Sequence, residues 1–364
     1  MAQSEILRCR RRSKKLVLVI LLMALLSLAA IQSSFHSRSN NFSLPSFIGI
    51  HNPNKSKHAN KKCALLFFGL IKESFTSISL PSIQKNILSI NPQCDIYLHT
   101  YNMTHVPINK RNTEYHTHAL NISEASLLTS NAVFEEMESF YKHHQEILER
   151  TRKNYHQSWG ECCESHDNMI KQWNSIEGVW DIMHAAEQKV NEKTNNAERK
   201  RTRYDQVGLF RSDVFYTRPI DIFDSQGALP NFAHHRGYND RLFYGSYDNA
   251  KIWASKRFAF VDIFEKRYMK SIDYQQWDAW SKIRKVFGGM YKDGYHSETF
   301  VKRLLNHYGV EVDLRDHCVW RVRSGQRLLA NDCDGMQGFS TFKDVRMYGL
   351  AKDADGLRPV LTLA

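Results

Sequence analysis

Cys63-Ala-Leu-Leu-Phe-Phe-Gly-Leu70 and Cys94-Asp-Ile-Tyr-Leu-His-Thr100 are two segments from which the fold class can be predicted. The first is a continuous apolar run, typical of a strand buried on both faces, and the second also has the pattern of a strand. A helix is predicted between them over residues 80–90, because Pro81 suits a first turn and the Asn-Pro pair at 91–92 ends one. Strand, helix and strand in this order predict a right-handed parallel unit, so the fold class is α/β.

Two amphipathic segments follow the second strand. Residues 131–155 and residues 169–190 each place large apolar side chains on one helical face, so both are predicted to be helices. These side chains are Phe134, Met137, Tyr141, His144 and Leu148 in the first segment, and Met169, Trp173, Ile176, Trp180 and Met183 in the second. The charged connection 191–203 that comes next predicts a solvated loop.

An apolar run near the N-terminus predicts a membrane anchor. Residues 16–31 contain no charge, and six basic residues precede them within the predicted cytoplasmic tail 1–15. This charge bias orients the bulk of the chain toward the lumen, a type II arrangement. The run is about 24 Å long as a helix, which favours the thinner membranes of the ER or Golgi. The alternative is a cleaved signal peptide, with small residues near position 30.

A polar stem and one large globular domain are predicted after the anchor. Residues 32–61 are rich in Ser, Asn, His and Lys, as flexible linkers are, whereas residues 62–364 contain no comparable linker and can bury a large core. The formal net charge of +12 falls to +7 without the tail, which carries six basic residues and one acid. A basic lumenal domain suits an anionic ligand such as a nucleotide diphosphate or an acidic glycan, and lumenal placement argues against a nucleic-acid partner.

Glycosylation sequons and cysteines are consistent with a lumenal domain. The sequons begin at Asn41, Asn54, Asn102 and Asn121. Six cysteines follow the anchor and can form up to three disulfides in any of 15 pairings. For Cys162-Cys163 a disulfide is favoured over a zinc site, and His234-His235 are interpreted as surface histidines, because neither pair has further ligands at standard spacing.

One segment has the pattern of a ligand site. In Tyr204-Asp-Gln-Val-Gly-Leu-Phe-Arg-Ser-Asp213 an apolar strand runs directly into Arg211-Ser-Asp213. Ligands of open α/β sheets bind beyond the carboxyl ends of the strands, so Asp213 is the leading candidate to hold a divalent cation that bridges a diphosphate. Arg211 is a candidate to neutralise diphosphate charge. The alternative is an ion pair between Arg211 and Asp213 that fixes the loop.

Further candidate side chains lie downstream. Asp240, in a loop between glycines, is a candidate general base or acceptor-binding residue, with a salt bridge to the next residue, Arg241, or a turn carboxylate as the alternative. Asp248 is interpreted as a helix N-cap. Arg321 and Arg323 share one face of a predicted strand and are candidate phosphate ligands, although a charged edge strand explains them equally well.

The chain resembles the glycosyltransferase-like domains of type II secretory-pathway membrane proteins. The resemblance covers residues 62–325 and rests on motifs that are weak singly and moderately specific as a set. Besides the anchor, the stem and the opening strand, these motifs are Gln172-Trp-Asn-Ser-Ile-Glu-Gly-Val-Trp180, Tyr204-Asp-Gln-Val207, Arg211-Ser-Asp213, the segment 239–253 that begins Asn-Asp-Arg-Leu-Phe-Tyr-Gly, and His296-Ser-Glu298.

The resemblance implies a GT-A-like fold, a mixed and mainly parallel sheet flanked by helices, preceded by one transmembrane helix. It further implies a nucleotide-sugar donor, a glycan or glycoprotein acceptor in the Golgi lumen, and Mn²⁺ as cofactor. Glu298, which faces the cleft in such domains, becomes an alternative base to Asp240. One departure bears on the metal: Arg211 replaces the first aspartate of the usual Asp-x-Asp, so only Asp213 matches the metal-ligand motif.

Two rival functions fit the same topology. A lumenal sulfotransferase would also have a basic cleft, but it would need a Lys and Ser/Thr phosphate loop after the first strand, which Gly69-Leu-Ile-Lys-Glu-Ser74 matches poorly. A non-catalytic glycan-binding protein is the second rival, and it would keep the fold without the chemistry.

Overall fold

The computed structural model describes residues 61–106, 108, 117–152, 162–193, 204–235, 237–269, 295–323, 325–329, 333, 350–352 and 359–361. All of them belong to one compact unit, Pro53–Ala364. The predicted tail, anchor and nearly all of the stem lie outside these residues, as does most of the connection 191–203. None of the helices in the described ranges combines the length and the apolarity that crossing a bilayer requires.

Strands and helices are interspersed along the described chain. The strands in chain order are β1 Cys63–Phe68, β2 Asp95–Asn102, β3 His105–Val106, β4 His118–Ala119, β5 Ala132–Glu136, β6 Gln206–Arg211, β7 Val214–Tyr216, β8 Gly227–Pro230, β9 Leu242–Ser246, β10 Asp313–Arg315, β11 Val319–Arg323, β12 Arg327–Leu329, β13 Leu350–Lys352 and β14 Pro359–Leu361. The helices are α1 (the consecutive turns Phe75–Ser79, Leu80–Ile83 and Gln84–Leu88), α2 Met137–Arg152, α3 Cys162–Lys193, α4 Tyr247–Ser255, α5 Arg257–Phe264 and α6 Ser297–His307. A 3-10 helix over Ile122–Leu127 precedes β5, and a π-helical turn over Glu265–Met269 continues α5.

The central sheet confirms the predicted α/β class and its mainly parallel character. Its seven strands have the order β10-β8-β9-β6-β1-β2-β5. The pairs β6-β1, β1-β2, β2-β5 and β10-β8 are parallel, whereas β9 is antiparallel to both β6 and β8. Helices flank this sheet, so the described chain is a mixed α/β domain.

Strand β1 lies at the centre of the core, as its apolar run predicts. All six of its residues are buried. Leu65 and Phe67 pack into one hydrophobic cluster and Leu66 and Phe68 into another, because successive side chains of a strand point to opposite faces. The helix predicted after β1 is present but begins earlier, at Phe75, whose ring is also buried in the core.

The prediction of a helix over residues 131–155 is wrong at its start. Residues 132–136 form strand β5, which pairs with β2 at the edge of the sheet, and helix α2 begins only at Met137. Phe134, assigned to the apolar helix face, is 38% exposed. Pairing with β2 satisfies the backbone of this segment, so sheet formation outweighs the helical spacing of its apolar residues. Helix α3 begins before the predicted Met169 and is 32 residues long.

A second, three-stranded sheet brings β11 against β7 in the order β12-β11-β7. Arg321 lies opposite Val214 on one side of β11 and Leu329 on the other. The alternative of a charged edge strand is therefore wrong, because β11 is the middle strand. Because β7 follows Asp213 directly, the pairing places β11, which carries Arg323, beside the end of β6.

Two disulfides join elements of the domain. Cys63 at the start of β1 is bonded to Cys94 just before β2, and Cys318 before β11 is bonded to Cys333. The side chains of Cys162 and Cys163 lie outside the described residues, so their pairing stays a prediction.

Replacing both Cys63 and Cys94 with Ala is expected to lower the free energy of unfolding by about 3–4 kcal/mol, because the bridge closes a loop of 31 residues in the unfolded chain. Urea unfolding measures the loss. The matched control removes Cys318 and Cys333, which are equally buried but only 15 residues apart, and is expected to cost about 3 kcal/mol. A clearly larger loss for the control pair would contradict this account.

Candidate active site

The candidate site lies where β1 and β6 end side by side. Phe68 pairs with Arg211 in the parallel register, and the backbone N–H of Ser212 donates to the carbonyl of Phe68 at 2.9 Å. Gly69 turns the chain away from β1 with φ of +103°, a conformation that favours glycine. Its Cα faces the Asp213 carboxylate, since a Cβ built there would lie 3.9 Å from Oδ1. The two loops therefore meet at the carboxyl edge of the sheet.

The carboxylate of Asp213 is enclosed by cations. Arg211 donates from Nε to Oδ1 at 2.8 Å and from Nη2 to Oδ2 at 3.0 Å. Lys72 Nζ lies 3.4 Å from Oδ2 and donates to the carbonyl of Val322 at 3.2 Å. The side chains of Lys72 and Asp213 are each only 7% exposed. The predicted ion pair between Arg211 and Asp213 is thus present, within a larger cluster that includes a lysine the sequence did not single out.

Strand β11 completes this cation cluster, which we define as Lys72, Arg211 and Arg323 around Asp213. The N–H of Val322 donates to the carbonyl of Asp213 at 3.3 Å, which brings the next residue, the buried Arg323, into the site. Burial alone would raise the pKa of the Asp213 carboxyl, but Arg211, Lys72 and Arg323 hold that pKa well below its ordinary value. Asp213 is therefore a firmly ionised group outnumbered by positive charges.

The surroundings of Asp213 do not match the donor set of a divalent metal ion. Mn²⁺ binds several carboxylate, carbonyl or water oxygens. Both oxygens of Asp213 already accept from Arg211, and the nearest further groups are cations. No three His, Cys, Asp or Glu side chains gather as a potential metal site anywhere in the described part of the chain. The described residues thus do not supply the oxygen ligands of the Mn²⁺ site that the resemblance implies.

Asp240 is anchored through one carboxylate oxygen. Its Oδ2 accepts hydrogen bonds from Gln172 Nε2 of α3 at 3.1 Å and from the Ser297 hydroxyl at the start of α6. Gln172 Nε2 also donates to the Asp240 carbonyl at 3.0 Å, which fixes the loop. Oδ1 makes no hydrogen bond with any residue the structure describes. The predicted salt bridge with Arg241 is absent, because that side chain donates to the Val319 carbonyl and lies over the ring of Phe232.

Asp240 and the cation cluster are neighbours. The backbone N–H of Arg211 donates to the carbonyl of Arg241, the residue after Asp240, at 3.2 Å. Burial opposes the charge of Arg211, whereas Asp213 and, to a lesser extent, Asp240 raise the pKa of Arg211 above its ordinary value. Glu298 follows Ser297, whose hydroxyl binds Asp240, and its Oε2 is 3.2 Å from His296 Nδ1. The structure therefore brings Arg211, Asp213, Asp240 and Arg323 together, with Glu298 beside them. Arg321 lies two positions before Arg323 on β11.

Arg257 and Glu177 are two further buried or half-buried ionisable groups of this region, and no sequence motif indicates their burial. Arg257 is 1% exposed, stacks on the ring of Trp253 at 4.1 Å, and donates from Nη1 to the Trp253 carbonyl at 2.9 Å. Its Nε and Nη2 make no hydrogen bond with the described residues. Burial lowers the pKa of Arg257 to about 9, against the opposing charges of Asp240 and Glu177. In sequence, Lys256-Arg257 looks like an ordinary exposed basic pair at a helix start.

Glu177 → Gln is expected to stabilise the protein at alkaline pH. Burial and the nearby Asp181 raise the Glu177 pKa from 4.5 to about 7, despite Arg257 and Lys256. The folded state therefore favours the protonated carboxyl, and stability is lost as pH rises from about 4.5 through about 7. Unfolding experiments should show no gain for the variant near pH 4 and about 1–2 kcal/mol near pH 8. Equal stabilities near pH 8 would contradict the raised pKa.

Gly237 permits the close contact between the Asp240 loop and helix α6. A Cβ at this position would lie 1.9 Å from the backbone C and O atoms of Glu298, and Tyr238 N donates to that same carbonyl at 2.9 Å. Gly237→Ala is therefore expected to lower the free energy of unfolding by about 1–3 kcal/mol, measured by urea denaturation.

The matched control for Gly237 is Gly309→Ala. Gly309 has φ of +70° but no atom within 4 Å of its built Cβ, so only backbone strain of about 1 kcal/mol is expected. If the two variants lost the same stability, the steric account of Gly237 would be wrong.

No protein-family model and no curated protein sequence matches the chain. One solved structure with a similar arrangement is the crystal structure of mouse xyloside xylosyltransferase 1 in its apo form. The two chains are 9% identical, the match covers 70% of this chain and 85% of that one, and the TM-score is 0.33. So low a similarity supports no argument about this chain, whose function must be argued from its own residues.

Proposed function

We propose that the chain is a glycosyltransferase that moves a sugar from a nucleotide-diphosphate donor to a hydroxyl acceptor on a glycan or glycoprotein. The observation that carries the proposal is that the cation cluster around Asp213 adjoins the loop of the anchored Asp240 carboxylate, since Arg211 N donates to the carbonyl of Arg241 at 3.2 Å. Inverting transfer from a diphosphate uses both groups. The leaving group is anionic and requires positive charge, and the attacking hydroxyl must lose a proton to a base.

Asp240 is the proposed general base. An acceptor hydroxyl bonds to Oδ1, and its oxygen attacks the anomeric carbon of the donor sugar while the bond from that carbon to the diphosphate oxygen breaks. The proton moves to Oδ1, and the diphosphate leaves with the electron pair. Gln172 and Ser297 hold Oδ2 and so orient the reactive oxygen. A single displacement of this kind inverts the anomeric carbon.

Glu298 is the less suitable base. Its Oε2 is within ion-pair distance of His296, whereas Oδ1 of Asp240 has no such partner in the described chain. The role of Glu298 in this proposal is to bind the acceptor near Asp240, since the two carboxylates flank Ser297.

The proposed location is the Golgi membrane, as a single-pass type II protein with a lumenal catalytic domain. Support comes from the short apolar run 16–31 with its basic flank, and from the two disulfides of the domain, which suit an oxidising compartment. Placement in the ER is the alternative for the same run.

One observation also favours the sulfotransferase alternative. Lys72 follows the first strand, where such an enzyme would bind donor phosphates, and it is part of the cation cluster. A sulfonate donor has the same need for positive charge, so the two functions are separated by which donor is consumed.

The test is a donor screen on the full-length protein, with nucleotide release and glycan products measured for a panel of nucleotide sugars and for a phosphoadenosine sulfonate donor. We expect release from a nucleotide sugar and a new glycosidic bond on a hydroxyl acceptor. Sulfonate transfer would establish the rival enzyme. Glycan binding without consumption of any donor would establish the non-catalytic alternative.

A further inference from the structure

Asp213 occupies the position where the resemblance implies a metal ligand, yet its contacts are those of a counter-ion. Arg211 forms two parallel hydrogen bonds with the carboxylate, one to each oxygen. Such bidentate pairs are rigid and strong. A metal ion could reach this carboxylate only by displacing the guanidinium or by approaching it beside Lys72.

The charge around Asp213 also disfavours a dication. Lys72, Arg211 and Arg323 all act on this single carboxylate, so positive charge is already in excess at the carboxyl edge of β1 and β6. An added divalent cation would be repelled by each of the three. A ligand with two or more negative charges would instead be attracted by all of them.

The cluster is built by contacts between elements far apart in sequence. Val322 of β11 accepts from Lys72 and donates to the Asp213 carbonyl, and thereby joins the loops after β1 and β6. Lys72 and Val322 are 250 residues apart. Because Lys72, Asp213 and Arg323 are all at least nine-tenths buried, the cations are held in place before a ligand arrives.

We propose that Lys72, Arg211 and Arg323 bind the diphosphate of the donor without a divalent cation, and that Asp213 positions these cations and ligates no metal. This inference rests on the proposed function, because it concerns how the same donor is held. Its new elements are the assignment of Lys72 as a diphosphate ligand and of Asp213 as a positioning residue.

The first experiment is calorimetric binding of uridine diphosphate and of inorganic pyrophosphate to the full-length protein, in EDTA and in Mn²⁺. We expect both probes to bind in EDTA, and we expect Mn²⁺ not to tighten their binding. Binding that requires Mn²⁺ and disappears in EDTA would overturn the metal-free inference alone. If neither probe bound in EDTA or in Mn²⁺, the proposed diphosphate site would be overturned, and the proposed function with it.

Variants at Lys72 test its assignment in the same assay. Lys72→Gln is expected to weaken pyrophosphate binding about 10- to 100-fold, since it removes a charge-assisted hydrogen bond, whereas Lys72→Arg should retain most of the affinity. The control is Lys251→Gln, an exposed lysine on α4, for which no change is expected. Equal weakening by Gln and Arg, or none by Gln, would overturn the role of Lys72.

Asp213→Asn distinguishes a positioning residue from a metal ligand. The amide keeps the shape of the carboxylate but leaves one oxygen to accept from Arg211, so the cations are held less firmly. Pyrophosphate should therefore still bind in EDTA, with an affinity lowered by no more than about 10-fold, and Mn²⁺ should not restore the difference. Thermal unfolding verifies that the variant is folded. Loss of binding that excess Mn²⁺ restores would identify Asp213 as a metal ligand and contradict the inference.

Discussion

Asp240→Asn is expected to lower kcat for sugar transfer by about 10²- to 10⁴-fold, the contribution typical of a positioned general base. The amide can still accept from Gln172 and Ser297 through its oxygen, so the loop should keep its conformation. It cannot take the proton of the acceptor hydroxyl. Steady-state kinetics with the donor found in the screen measure the loss, and donor binding measured separately should be nearly unchanged.

The control for this variant is Asp248→Asn. Asp248 is an exposed carboxylate in the first turn of α4, and the predicted N-cap role belongs instead to Ser246, whose hydroxyl accepts from Asn249 N. Its replacement should leave kcat as in the wild type. If Asp240→Asn remained fully active, the base would have to be another group, with Glu298 the next candidate.

Asp213→Ala is expected to destabilise the fold by about 3 kcal/mol or more, because removal of one partner leaves the others as uncompensated buried charges. Arg211 and Lys72 would lose their counter-ion, and Arg323 would add to their repulsion. Urea unfolding near pH 7 measures the loss. The control is Asp262→Ala, whose ion pair with Arg150 is largely exposed and should contribute less than about 1 kcal/mol.

The stability that Asp213→Ala loses is expected to depend on pH. The pKa of Asp213 is lower in the folded protein than in the unfolded chain, so its stabilisation is fully present above the unfolded value of about 3.9. It is lost as pH falls further, toward the folded pKa. The stability difference between wild type and Asp213→Ala should therefore be constant from about pH 5 to pH 8 and shrink below about pH 4. A difference that disappears near pH 7 would contradict the ionised state of Asp213.

Much of the fold could be predicted because burial has a direct sequence signature. The apolar runs that became β1 and β6 are buried strands, and the chain order of strand, helix and strand predicted the parallel pairing of β1 with β2. The position of Arg211 and Asp213 beyond a strand end followed from the same reasoning. Strand β5 was missed, because helical spacing in residues 131–155 could not reveal its backbone pairing with β2.

The composition of the site was less predictable, since it depends on contacts between distant segments. Lys72 reaches Asp213 because Gly69 turns the chain and because its amine donates to the Val322 carbonyl of β11. The second contact joins segments far apart in sequence. Arg257 is buried only because helix α5 packs its side chain over the ring of Trp253. The signal that could have drawn attention to Lys72 is its place in the loop after the first buried strand. The loop, Gly69-Leu-Ile-Lys-Glu-Ser74, matches a phosphate-binding motif poorly, so the motif alone does not indicate its lysine.

The most direct test of the central claim is a crystal structure of the protein with a bound nucleotide sugar, grown in EDTA. We expect the diphosphate oxygens within hydrogen-bond distance of Lys72 and Arg323, with Oδ1 of Asp240 facing the anomeric carbon. A nucleotide sugar bound away from these groups, or a diphosphate that appears at this edge of the sheet only when Mn²⁺ is supplied, would contradict it.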